Sequence, residues 1–122
     1  MDWKIELIGV PVTDADRSIE FYEGIGFNLD HDHKISEEIR FIQMTPPGSA
    51  CSIAFGAGIT EMEPGSLDNM QVVIADADEA RQFLIDKGVE AGEIQEFPWG
   101  RFVFFSDPDG NGWALQQIVT PG

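Results

Sequence analysis

Residues 10–48 of this 122-residue chain recur, in outline, sixty-two positions later. The matched pairs are Val10/Val72, Val12/Ile74, Asp14/Asp76, Ala15/Ala77, Asp16/Asp78, Phe21/Phe83, Gly26/Gly88, Pro46/Pro108 and Gly48/Gly110. The offset is constant over these pairs, so no insertion is expected between the copies. Two copies of so long a unit are too few and too large for a solenoid. The repeat therefore predicts two modules packed into one compact domain, 1–122, with modules 4–55 and 67–119 joined by a Gly/Pro-rich linker, 56–66.

Each copy carries the same order of signals. Lys4 to Thr13 reads as a strand, with Ile8, Val10 and Val12 on one face and Ile5, Leu7 and Gly9 on the other. Asp14 is placed to cap a helix over 15–23, which Gly24 and Gly26 end. Strands are predicted at Phe27–His33, Ile39–Thr45 and Cys51–Phe55, the last two joined by a Pro46-Pro47-Gly48 turn. In the second copy, Leu67–Ala75 is a strand. Asp76 with Glu79 resembles a capping box, and Gly88 stops the helix. Val89–Ile94, Phe102–Ser106 and Trp113–Val119 complete it, with Asp107-Pro108-Asp109-Gly110 as a turn before the last strand. The fold class is α+β: two tandem βαβββ modules forming a curved, mostly antiparallel sheet with helices outside.

Bulk composition narrows the function. Twenty-two acidic residues face seven basic ones, a formal net charge of −15. Such a field repels nucleic acid and anionic membranes, so neither is an expected partner. Cys51 is the single cysteine, which rules out an intrachain disulfide. The N-terminus lacks a basic-then-apolar leader, and no apolar run reaches membrane-spanning length. A cytoplasmic protein is the expectation.

The stretches Val12-Thr13-Asp14, Ser18-Ile19-Glu20-Phe21-Tyr22, Gly26-Phe27 and Asp107-Pro108-Asp109-Gly110-Asn111 resemble the vicinal oxygen chelate superfamily. That group includes glyoxalase I, extradiol dioxygenases and bleomycin resistance proteins. The resemblance spans nearly the whole chain. It implies half-cup sheets with a ligand cavity inside and helices outside, and a homodimer. It does not fix an activity, because one scaffold hosts lyases, dioxygenases, epimerases and binders.

The family's metal enzymes draw one ligand from the first and one from the fourth strand of each module. By that resemblance the positions here are Leu7, Ala54, Asn69 and Gln116, although a gap near Asn111-Gly112 would make the last one Ala114. Leucine and alanine carry no ligand atom, and two neutral amides do not offset the dehydration of a dication. A two-residue shift on the same face offers Gly9, Ser52, Gln71 or Ala114, which does not restore a site. No metal and no cofactor are expected.

The other chemistry-bearing residues each have a plain alternative. His31 and His33 share a strand face at a spacing that binds metal, but no third ligand follows nearby, and an exposed polar edge strand explains them equally. Trp99, within Phe97-Pro98-Trp99-Gly100-Arg101, either stacks on a ligand at the cavity mouth or plugs the core edge. Cys51 has no basic neighbour in sequence to activate it. No catalytic residue is assigned. The expected ligand-binding set is Leu7, Gly9, Ser52, Ala54, Asn69, Gln71, Trp99, Ala114 and Gln116, with Ile5 beside it. This mix of apolar groups and a few amides suits a small organic molecule. The leading expectation is a metal-independent small-molecule binder, with sequestration of a toxic or antibiotic compound as its role. The alternative is a glyoxalase- or dioxygenase-type enzyme with a divergent site.

Overall fold

A computed structural model describes residues 1–119. The described elements run β1 (Leu7–Gly9), α1 (Ala15–Gly24), β2 (Asn28–Lys34), β3 (Arg40–Thr45), β4 (Ser52–Phe55), β5 (Met70–Val73), α2 (Ala77–Asp86), β6 (Gln95–Phe97), β7 (Gly100–Ser106) and β8 (Gly112–Ile118). The paired βαβββ modules are present. Their strands form two four-stranded sheets, ordered β1-β4-β3-β2 and β5-β8-β7-β6. In each, the first strand runs parallel to the fourth and the remaining pairs are antiparallel. Among the described residues no strand pairing joins the two sheets.

Both helices start on the repeated aspartate. Asp14 Oδ1 accepts from Arg17 N–H, and Asp76 Oδ1 accepts from Glu79 N–H, each at 3.1 Å. These bonds satisfy N–H groups that a first helical turn leaves without partners. Both helices then bury one stripe, Ser18 and Tyr22 on α1, Ala77 and Leu84 on α2. Gly26 and Gly88 follow with positive φ, the backbone conformation that ends each helix.

The core continues across the module boundary. Val10, Tyr22, Ile42, Met44, Ile53 and Phe55 come from the first module, and Leu84, Val103, Phe105 and Trp113 from the second. Tyr22 sits where they meet, with its ring 5.9 Å from both Phe55 and Trp113. Its hydroxyl donates to Asp107 Oδ2 at 2.8 Å and accepts from the Trp113 indole N–H at 3.1 Å.

Several boundaries differ from the sequence reading. The first strand is confined to Leu7–Gly9, because Lys4 to Glu6 lie exposed and Pro11 has no N–H to extend a ladder. The fifth strand starts at Met70, since Asn69 adopts φ 59°, outside extended geometry. The sixth strand is Gln95–Phe97 and not Val89–Ile94. Val89, Ala91 and Ile94 instead pack their side chains under the core as irregular chain. The constant offset also drifts. Gln43 lies opposite Ala54, whereas Phe104 lies opposite Ala114, so the second module has a turn one residue shorter between its last two strands.

Candidate functional site

Strand alternation gives each sheet one face toward the core and one away from it. In the first sheet the register pairs Leu7 with Ser52, Gly9 with Ala54, Ala54 with Gln43, and Gln43 with His31. These side chains share the face opposite Ile42, Met44, Ile53 and Phe55. Ser52 and Ala54 form its buried floor, 5% and 1% exposed. Ser52 Oγ and Thr45 Oγ1 lie 2.7 Å apart, and Thr45 Oγ1 also donates to Asp30 in a short hydrogen bond. Hydrogen bonds from Thr45 and Asn28 hold the Asp30 carboxyl below its ordinary pKa. The bidentate Arg40 guanidinium does the same for Asp32, at 3.0 and 2.9 Å.

In the second sheet the outward face carries Gln71 beside Ala114, Val73 beside Gln116, Phe104 beside Ala114, and Phe102 beside Gln116. Gln71 Nε2 donates to Gln116 Oε1 at 2.5 Å, and Gln116 Nε2 donates to the Trp99 carbonyl at 3.2 Å. Gly100 makes this possible, since a Cβ there would lie 2.8 Å from Gln116 Nε2. Phe97 faces Gly100, so Pro98 and Trp99 form a two-residue loop that carries the indole beside Phe97, rings 5.4 Å apart and nearly parallel. Phe97 also meets Phe102 edge-on at 5.6 Å, and Phe102 stacks on Phe104 at 5.9 Å. The result is an aromatic ladder along an open sheet face. Trp99 is 60% exposed, Val73 62% and Ile118 58%.

Eight of the nine expected ligand-binding residues thus fall into two groups. Leu7, Gly9, Ser52 and Ala54 share the face of the first sheet. Gln71, Ala114 and Gln116 share the face of the second, with Trp99 at its edge. Asn69 joins neither, lying just before β5 with its backbone turned out of the ladder. Ile5 also precedes its strand and is 70% exposed. The register resolves the fourth-strand ambiguity as well. With Gly9 equivalent to Gln71, the counterpart of Ala54 is Ala114 and not Gln116.

That register matters for the metal the fold family implies. The ligand positions present leucine, alanine and amides, and both site amides are already hydrogen-bonded within the protein. This donor set does not fit a divalent cation. Among the described residues no group of three or more His, Cys, Asp or Glu is placed to hold one. His31 and His33 stack at 5.5 Å on the fully exposed β2. Cys51, half-buried, donates its thiol to the Ser52 carbonyl at 3.6 Å.

Sequence reasoning left Phe97, Val73, Ile118 and Gln43 out of the site. Val73 and Gln43 carry a signal, since each stands two residues from another site-face residue in its strand. Phe97 carried none, because the sixth strand was set too early. Phe55 points into the core and is fully buried, whereas Phe104 is exposed on the outward face and Phe102, on the same face, is covered.

Paired βαβββ modules, each with a four-stranded sheet and joined by a shared core, define a recognisable class of scaffold. Residues 4–115 match the Glyoxalase/Bleomycin resistance protein/Dioxygenase superfamily, and the chain belongs to it. Among solved structures, it is similar to TnmS3, described as an antibiotic binding protein from Streptomyces sp. CB03234. The two are 34% identical over 97% of this chain and 98% of that one, with a TM-score of 0.87. A glyoxalase/bleomycin resistance protein from the same Streptomyces is 35% identical over 93% of this chain and all of that one, with a TM-score of 0.81. YetH of Bacillus subtilis (strain 168), described as uncharacterized, is 26% identical over 121 residues, covering 93% of this chain and 98% of YetH.

Proposed function

We propose that this chain binds an organic small molecule without a metal, holding it against the open faces of its sheets and so sequestering a toxic or antibiotic compound. The carrying observation is the aromatic ladder Trp99–Phe97–Phe102–Phe104 beside the Gln71–Gln116 amide pair. The exposed Trp99, Phe97 and Phe104 rings give apolar surface for stacking, backed by the buried Phe102, and the amides give directed hydrogen bonds to orient a polar group. The kinship to TnmS3, an antibiotic binding protein, supports the same reading.

A homodimer completes the chamber in this proposal. Among the described residues β1 and β5 are terminal strands with unpaired outer edges, Leu7 and Val73 on them expose apolar surface, and so does Ile118 on the neighbouring β8. Unpaired edges and contiguous apolar surface are features that proteins normally cover. A second copy laying its β1 beside β5 would face one sheet with the other. We place the protein in the cytoplasm; no described helix is long and apolar enough to cross a membrane.

The test is a thermal-shift and calorimetric screen of planar aromatic antibiotics, run with and without EDTA, on protein whose mass is measured by light scattering. A dimer with EDTA-insensitive binding is expected. Trp99→Ala should weaken that binding by about 1 kcal/mol, the worth of one aromatic stack. Binding that requires an added divalent cation, or conversion of the ligand seen by mass spectrometry, would replace this reading with the enzyme alternative.

A further inference from the structure

The seam between the two modules is closed on one side only. On the closed side Asp109 Oδ1 accepts from Thr13 N–H at 3.1 Å, from Thr13 Oγ1 at 2.6 Å and from Arg17 Nη2 at 3.3 Å. Asn111 Nδ2 donates to the Pro11 carbonyl at 2.8 Å. The repeat supplies the counterparts on the other side. Thr13 becomes Ala75 and Arg17 becomes Glu79 at the sixty-two-residue offset. The turn is one residue out of that offset, since Ser49 N–H donates to the Pro46 carbonyl as Gly110 N–H does to Asp107, so Asp109 becomes Gly48. The last strands pair so that Ala114 matches Ala54, which makes Asn111 the counterpart of Cys51. Ala75 has no hydroxyl, Gly48 has no side chain, and Glu79 carries the opposite charge to Arg17. The bonds that close one side therefore have no chemical equivalent on the other.

A cleft of about 840 Å³ stands at that open side, between the 46–49 turn and the first turns of α2. Phe27, Pro46, Val72, Ile74, Phe83 and Leu115 give this cleft apolar walls. Its volume lies in the range of small-molecule pockets. The charged residues lining it are both acidic, Asp76 and Glu79. Among the described residues no lysine or arginine is paired with either. The start of α2 does not invite an anion, because Ala77 N–H already donates to Gln117 Oε1 at 2.8 Å and Glu79 N–H to Asp76.

We propose that this cleft is a second ligand site, separate from the sheet faces, and that it takes a hydrophobic organic cation. The apolar body packs between Phe27, Val72 and Phe83, and the cationic head lies beside Asp76 and Glu79. An apolar cavity with carboxylates at its lining complements that class of ligand and disfavours an anion of the same shape.

Tetraphenylphosphonium and tetraphenylborate, a cation and an anion of matched shape, provide the probes for calorimetric titration of the full chain. The cation is expected to bind and to shift the amide NMR resonances of residues 75–83. Glu79→Gln should weaken it by about fivefold, the upper range for a half-exposed ion pair, whereas Glu23→Gln on α1 should leave it unchanged. Ala75→Thr with Glu79→Arg installs the closed-side hydroxyl and guanidinium in place of a lining carboxylate and should abolish binding. Trp99→Ala on the sheet face should not affect it. Equal losses from Glu79→Gln and Glu23→Gln would reduce the effect to the protein's overall charge and overturn the proposal. So would loss of binding in Trp99→Ala, or no shift at residues 75–83. The single variants and the resonance map decide the matter even where the double variant does not fold.

Discussion

Tyr22 is the residue on which the two halves of the chain converge. Its hydroxyl sits between the Asp107 carboxylate and the Trp113 indole, fully out of water. Asp107 is in turn held by Asn111, whose side chain reaches back to Pro11. Removing the hydroxyl leaves two buried polar groups short of a partner. Tyr22→Phe is expected to cost about 1–3 kcal/mol, read from urea unfolding midpoints. Burial first, and then the Asp107 charge, push the Tyr22 pKa well above its ordinary value. A raised folded-state pKa gives stability that is whole below the unfolded value, about 10, and declines as pH rises beyond it. Tyr22 is the only tyrosine, so tyrosinate absorbance reports it alone. That absorbance should appear only together with alkaline unfolding, and Tyr22→Phe should flatten the decline in stability. None of this network was legible in the sequence. Tyr22 and Asp107 lie 85 positions apart, and a phenol on a helix face gives no sign that its tip will meet a carboxylate. The repeated aspartates were legible, because a cap acts on residues three positions away.

At the scale of elements, local signals read well and pairings read poorly. Both helices and their stops follow from Asp14, Asp76, Gly26 and Gly88. Strand limits depended on partners the sequence does not show, as in β6, whose place is set by Gln95 lying opposite Phe102. The candidate site inherited that limit. Alternation alone places Leu7 with Gly9 and Ala114 with Gln116 on single strand faces, but the partnership of Gln71 with Gln116 needs the register. The segment between modules shows the same contrast. It reads as a plain Gly/Pro linker, yet Gly65 N–H donates to the Pro11 carbonyl, and a Cβ at Gly65 would lie 2.1 Å from the Asp109 carbonyl oxygen. That neighbour is backbone and has little freedom to yield. Gly65→Ala should therefore cost about 2–3 kcal/mol. Gly88 has a similar positive φ with nothing near its missing Cβ, so Gly88→Ala should cost only about 1–2 kcal/mol, the left-handed backbone penalty. Thermal melts of the two variants, run side by side, separate steric from conformational cost.

The whole molecule carries its net charge of −15 with few internal cations to offset it. The basic residues are largely committed, Arg40 to Asp16 and Asp32, Arg101 to Asp78 and Glu96, Arg81 to Glu93. These exposed pairs are worth little each, whereas the repulsion among the remaining carboxylates is summed over the molecule. Raising salt screens both. Repulsion is the larger sum, so the melting temperature should rise between 10 mM and 1 M sodium chloride; a fall would mean that the ion pairs dominate.

The one-sided seam also constrains ancestry. A chain assembled from two first copies would offer Thr13 and Arg17 twice with no Asp109 to receive them, and two second copies would offer the acceptor with nothing to give. At this seam the two halves are complements and not interchangeable copies, each giving what the other receives.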